Sequence, residues 1–376
     1  MNKIINWMGG WPKEGLVSAS DWEERLAAAA ERAHRDGKND ADGEVSRGEL
    51  KSVLALGLLK AKTEGHADRL RLASGADALL VRLAAKSLNP GDIVLVERVT
   101  SRSALQVFRK SGIRTQAVEG DGRGPEPSAL RAAITQFRPR LLYAAPACSD
   151  PEGAAWAEER VREVTEICRE TGVLFLRDDR QEMLAYEDEA AGESVPDGVL
   201  SIGQLPPGLV AELRFGWAAG KREELGRWFP PETRDANLAE PGITPLERNA
   251  LCGLIRDQPL EPLVDMLRVQ CGERMRRFTQ LLRQHPRSGL RWKDPSGGIH
   301  IWLRLPEGLD GEVLLRGAWI KGLMFQPGAP FFAERPERNA MRVTFAFSDE
   351  REMKAGVSRL LNAMGDFLGR SSDYGS

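Results

Sequence analysis

Between residues 69 and 176 the chain alternates short apolar runs with longer amphipathic stretches. Leu70–Ala73, Ile93–Glu97, Arg114–Val118, Arg140–Ala145 and Val173–Leu176 read as strands. Ala76–Leu88, Ala104–Lys110, Ser128–Phe137 and Ala157–Thr171, with apolar residues at helical spacing, read as helices. Strands and helices in strict alternation predict an α/β fold with a largely parallel sheet covered on both faces. Such sheets bind ligands beyond the carboxyl ends of their strands, so the turns after each strand are where chemistry is expected.

Outside this block the pattern is helical at first. A helix is expected from a capping box, Ser20 with Glu23, to Gly37. A second runs from Ser46 to about Lys62, ended by Gly65, with Leu50, Val53, Leu54, Leu58 and Leu59 as one apolar stripe for core or dimer contacts. Residues 222–285 read as helices around a Phe229-Pro-Pro-Glu loop, the last from Leu260 to His285. Strands and helices then alternate to a final amphipathic helix, Asp349–Leu368. The division expected is an N-terminal arm and helix over 1–45, a large domain over 46–265 and a small C-terminal domain over 266–376.

Composition changes this picture little. With 376 residues, 41% hydrophobic and 29% charged, the chain suits a globular protein with a sizeable core. A net charge of −2 gives no electrostatic case for nucleic acid or a membrane surface. No apolar run has the length of a membrane span, and the N-terminus lacks the apolar core of a signal peptide. Cys148, Cys168, Cys252 and Cys271 are scattered, and His34, His66, His285 and His300 have neither metal-ligand nor triad spacing. Reduced thiols in a cytoplasm are expected, with no metal and ordinary roles for the histidines.

Candidate chemistry lies in the turns. Gly9-Gly10-x-Pro12 is a glycine turn near the start, and Ser74-Gly75-Ala76-Asp77 leads from a strand into a helix, where free N–H groups suit a phosphate. Glu97-Arg-Val-Thr-Ser101-Arg-Ser-Ala, Pro146-Ala-Cys-Ser-Asp150-Pro-Glu-Gly and Arg177-Asp178-Asp179-Arg180 close the next strands. The stretch from Val199 to Trp217 begins as a strand, breaks at Pro206-Pro207-Gly208 and resumes as Leu213-Arg214-Phe-Gly-Trp. Pro295-Ser-Gly-Gly-Ile-His-Ile-Trp-Leu-Arg-Leu-Pro306, Gly322-Leu-Met-Phe-Gln-Pro-Gly-Ala-Pro-Phe331 and Asn339-Ala-Met-Arg342-Val-Thr follow. An arginine inside an apolar strand, as Arg342 is, needs an anionic partner or water.

Taken together, over about residues 5–368, these motifs resemble class I/II aminotransferases of pyridoxal-phosphate (PLP) fold type I. The likeness is closest to stand-alone aminotransferases and to the aminotransferase-like domain of GntR-type regulators. The resemblance implies an aspartate aminotransferase-like fold: a mostly parallel large-domain sheet and a smaller α+β C-terminal domain. It places Gly75 and Ala76 at the cofactor phosphate, with Arg214 paired to it, and Asp178 at the pyridinium nitrogen. Arg342 and Gly10 fall at the substrate carboxylate.

Four positions depart from the family's pattern. Laying Arg214-Phe-Gly-Trp on its Arg-x-Gly-Trp puts Pro207 where the Schiff-base lysine belongs, and no lysine occurs between Lys110 and Lys221. Proline has no side-chain nitrogen to offer. The stacking tyrosine falls on Ser101, the asparagine on Asp150, which is acceptor-only when ionised, and the second tyrosine on Arg180. Arg180 is expected to reach toward Asp150 and Asp178, filling the space of the ring.

The expectation is an aminotransferase-like protein with no catalytic residue at the lysine position, no conventional transamination and a pocket for a small anionic or amino-acid-like ligand. Two alternatives stand beside it. One is an enzyme holding PLP or pyridoxamine phosphate non-covalently, with Asp150 or a histidine as base. The other is a structural or regulatory subunit, homodimeric or paired with an active partner.

Overall fold

The structure is a computed structural model that describes residues 3–10, 12, 14–35, 44–186, 194–211, 213–230 and 243–373. In chain order its elements begin with β1 (Ile5–Asn6), α1 (Ala19–Arg35), α2 (Glu44–Leu56), α3 (Lys60–Thr63), β2 (Leu70–Ala73), α4 (Ala76–Ser87), β3 (Ile93–Glu97) and α5 (Arg102–Lys110). They continue with β4 (Arg114–Val118), α6 (Pro127–Phe137), β5 (Leu141–Ala144), α7 (Glu158–Thr171), β6 (Leu174–Asp178), β7 (Val199–Gln204), β8 (Gly216–Gly220) and α8 (Arg222–Trp228). Last come α9 (Pro245–Asp257), α10 (Glu261–Arg283), β9 (His300–Arg304), α11 (Gly311–Ile320), β10 (Leu323–Met324), β11 (Gln326–Pro327), β12 (Ala340–Thr344) and α12 (Glu350–Asp373).

The alternating block forms a seven-stranded sheet in the order β2-β8-β7-β6-β5-β3-β4. The run from β4 through β3, β5 and β6 to β7 is parallel, and β8 lies antiparallel between β7 and β2. All four residues of β5 are buried, as suits a strand covered on both faces. A second sheet, β11-β12-β9, is antiparallel, and β1 pairs with β10. Among the described residues no helix is long and apolar enough to cross a membrane.

Three local expectations are corrected. The first helix is capped two residues early, by Ser18: its hydroxyl accepts from Asp21 N–H (3.1 Å), and Asp21 Oδ2 accepts from Ser18 N–H (3.4 Å). Backbone bonds from Leu16 and Val17 to Gly208 and Leu209 hold the entry as extended chain up to that residue. The second helix does not run through to Lys62; it turns at Gly57, and only α3 resumes. The strand expected at Leu213 starts instead at Gly216. Gly37 and part of the Phe229–Glu232 loop lie outside the described residues.

Two glycines allow the sheet to close around the site. A Cβ at Gly216 would stand 2.7 Å from the backbone of Gly75, and one at Gly203 2.7 Å from the Trp217 indole. The turn before α4 therefore packs directly against the start of β8, beside the end of β7.

Candidate functional site

A cavity of about 340 Å³ opens where the carboxyl ends of β6 and β7 and the amino ends of α4 and α5 face the antiparallel sheet. Gly10, Asp150, Arg180, Pro207 and Arg342, all singled out in the sequence, line it. No lysine is among the described residues lining it.

One wall is a chain of polar side chains built on the large sheet. Tyr143, buried on β5, donates its hydroxyl to Asp178 Oδ2. Asp178, at the end of β6 and 2% exposed, accepts from Arg180 Nε on both oxygens at 2.9 Å. Arg180 continues through Nη1 to Asp77 Oδ1 (2.8 Å), which also accepts from the Ser103 hydroxyl (2.9 Å). Burial works against the charge on Arg180, but Asp178 and Asp77 more than offset it, and its pKa rises well above the usual value. Burial, reinforced by the Asp178 charge, likewise raises the Tyr143 phenol far above its ordinary range.

The other wall comes from the antiparallel sheet. Arg342, buried on β12, donates from Nη1 to Asp150 Oδ1 at 2.6 Å and from Nη2 to the Met8 carbonyl at 3.3 Å. Its guanidinium lies 4.9 Å from the Phe331 ring centroid. Burial alone would raise the Asp150 pKa; the charge and hydrogen bond of Arg342, with neighbouring positive charge, together outweigh it and hold the carboxyl below its usual value. His300, on β9, shares a 2.9 Å hydrogen bond with the Thr344 hydroxyl, and burial together with the Arg342 charge pushes its pKa down to about 3. The ring is neutral near neutral pH.

The remaining sequence candidates lie around this cavity. Gly75, with φ 131°, is the residue before α4, and the next N–H, of Ala76, donates to Gln204 Oε1 at 3.4 Å. Ser101 caps α5, accepting from Ala104 N–H, and shares a hydrogen bond with the Ser103 hydroxyl (3.0 Å). Arg214 is exposed and is not among the residues lining the cavity. The expected reach of Arg180 is half corrected: it meets Asp178 and Asp77, while Asp150 is engaged by Arg342. Asp77, in the first turn of α4, takes that place.

Two lysines of the described residues, Lys221 and Lys62, are engaged elsewhere. Lys221 follows the far end of β8, roughly 17 Å of strand beyond Gly216, and faces Glu64 and Asp197. Lys62 is buried between Asp179 (2.8 Å) and Glu182 (2.7 Å).

Sequence reasoning missed several lining side chains. Arg102 and Gln106 stand one helical turn apart on α5, a spacing that signals a shared face. His300 was passed over as ordinary, although a histidine in a strand of apolar neighbours is a visible signal. Gln204 and Gln326 carry no such mark.

Comparison with known proteins gives a consistent picture. The family described as aminotransferase class I and II matches residues 24–360. The 2-aminoadipate transaminase of Thermus thermophilus is 27% identical, over 97% of this chain and 91% of its own length. Aromatic-amino-acid aminotransferase 1 of Thermococcus litoralis is 24% identical, over 76% and 70% respectively. In structure, the α-aminoadipate aminotransferase of Thermus thermophilus, complexed with N-(5'-phosphopyridoxyl)-L-leucine, superposes with a TM-score of 0.80 at 24% identity, covering 97% of this chain and 93% of that one. An archaeal alanine:glyoxylate aminotransferase gives 0.81 at 21% identity, covering 97% and 91%. Chain, sheet order and match agree, and the protein belongs to the class I and II aminotransferase family, with its aspartate aminotransferase-like, fold type I architecture.

Proposed function

We propose that this family member does not transaminate through a lysine-bound coenzyme and that its cavity holds a small anionic or amino-acid-like ligand without covalent attachment. One observation carries the reading: the groups that would anchor a coenzyme and its substrate are already bonded to side chains of the same chain. Asp178 is held by Arg180, Ala76 N–H by Gln204, and Arg342 by Asp150. PLP would need a carboxylate for its ring nitrogen, an anion cradle, a flat ring partner and an amine. Here the Asp77 carboxylate sits at the start of α4, where a phosphate would approach, and like charges repel there. Ser101 has no ring and is occupied as a cap. The residues present do not fit that group.

Acid–base chemistry points the same way. A histidine titrating near 3 is a feeble base at neutral pH, and Asp150 is held as a carboxylate by Arg342. Neither is tuned to move protons, whereas both are placed to position a ligand. The test is to add PLP, record absorbance between about 320 and 430 nm, reduce with borohydride and map adducts by mass spectrometry. Expected are a spectrum of free coenzyme and no stoichiometric lysine adduct near residues 199–217. A stoichiometric reduced adduct on a lysine brought into the cavity, supplied by Lys221 or by a partner subunit, or measurable amino-acid/keto-acid exchange, would overturn the proposal.

A further inference from the structure

Three arginines line the cavity, and their surroundings differ. Arg180 is bonded to Asp178 and Asp77, and Arg342 to Asp150. Among the described residues Arg102 has no carboxylate within ion-pair distance. Its one hydrogen bond to a neighbouring element, at 3.3 Å, goes from Nη1 to the neutral Gln326 Oε1. Gln326 is in turn fixed by donating to the Met8 carbonyl at 2.6 Å, so the guanidinium is oriented without being neutralised. Gln106, one turn along the same face of α5, places an amide beside it in the cavity.

From this we infer that Arg102, seconded by Gln106, is the anion-recognising corner of the pocket, and that the ligand is a small carboxylate carrying at most one net negative charge. The inference rests on the proposed non-covalent pocket and relocates its binding group from Arg342 to Arg102. A planar guanidinium pairs with a carboxylate through two parallel N–H donors, and an arginine already holding Asp150 must break that bond first. The net charge of the ligand follows from the walls. Arg180 and Arg342 are already engaged by Asp178, Asp77 and Asp150, so Arg102 alone is left for the ligand's charge, and a second negative charge would face carboxylates with no further cation to meet it. A monocarboxylate, or a carboxylate that also carries an ammonium group, does not.

The test is calorimetric titration of the full chain with propionate, β-alanine and inorganic phosphate at constant ionic strength. Wild-type protein should bind the two carboxylates saturably and phosphate at least about tenfold more weakly. Arg102→Gln should weaken carboxylate binding by about tenfold or more, Arg102→Lys by less, because charge remains without the fork. Arg109→Gln, on the exposed side of the same helix, should leave binding unchanged and so excludes bulk charge as the cause. Melting curves of each variant establish that folding is retained.

Unchanged binding in Arg102→Gln, with loss in Arg342→Gln, would overturn the inference while leaving a non-covalent anion pocket intact. Tighter binding of phosphate than of either carboxylate would overturn the assigned ligand class. Absence of any saturable binding to wild type would overturn both the corner and the pocket. The lack of a lysine adduct is read separately by borohydride reduction.

Discussion

The two walls of the cavity satisfy their charges in different ways. On the large-sheet side Asp178 is 2% exposed and belongs to a chain of partners, Tyr143, Arg180, Asp77 and Ser103. On the opposite side Arg342 of the antiparallel sheet forms one ion pair with Asp150 from the loop after β5, with side chains 10% and 14% exposed. A buried charge with several partners is costly to disturb, because removing one leaves the others desolvated and unpaired. An ion pair that lines a cavity and belongs to no longer chain of charges can be exchanged for a ligand at smaller cost. The large-sheet wall is a fixture; the opposite wall is the part a ligand can open.

The largest effect should follow from Asp178→Asn, which leaves Arg180 with Asp77 as its remaining carboxylate partner and removes the charged acceptor of Tyr143. Destabilisation of about 3 kcal/mol is expected, read from urea unfolding with an unchanged slope. Asp150→Asn should cost less, about 1–2 kcal/mol, and should free the Arg342 fork. Carboxylate affinity should then rise several-fold in the same titrations, as a second guanidinium becomes available. If Asp150→Asn proves the more damaging of the two, or leaves affinity unchanged, the contrast between a fixed and an openable wall fails.

Legibility in the sequence follows the same divide. The bounds of β2, β3 and β4 coincide with the strands read from the chain, because each is a short run between polar turns, although only β3 is mostly buried and β4 is a half-exposed edge. Asp178, Arg180, Asp150 and Arg342 were visible as charges in or beside apolar strands, and the cavity gathers the last three into its lining. Their pairing was not legible. Asp77 and Arg180 are 103 residues apart and Asp150 and Arg342 192, and local periodicity carries no information about which charges meet at such separations. Gln204 is a harder case: its value lies wholly in its reach to the Ala76 N–H, which the close packing of Gly216 between the turn before α4 and the end of β7 permits. The misplaced cap has a local cause, since Ser18 and Ser20 both begin acceptable boxes and the tertiary bonds of Leu16 and Val17 select the first.

The smallest effect is the pH dependence of the openable wall. Arg342 holds the Asp150 pKa below the unfolded value of about 3.9, so the native state binds fewer protons there than the unfolded chain. Stability rises with pH wherever the unfolded state binds more protons. The contribution of Asp150 is therefore fully present above the unfolded value and is lost as pH falls through the lower, folded one. Glu97 behaves oppositely: burial raises its carboxyl to about 7, so its contribution weakens as pH rises toward neutrality. Glu97 braces the far side of the same loop, accepting from Trp156 Nε1 at 3.0 Å and Ala145 N–H at 3.2 Å. Its titration is common to wild type and Asp150→Asn and cancels in their difference. That difference, measured by thermal or urea unfolding from pH 7 downward, should stay constant to about pH 4.5 and shrink below it. A gap that widens on acidification would mean that Asp150 is protonated in the native protein, and the ion pair with Arg342 would have to be abandoned.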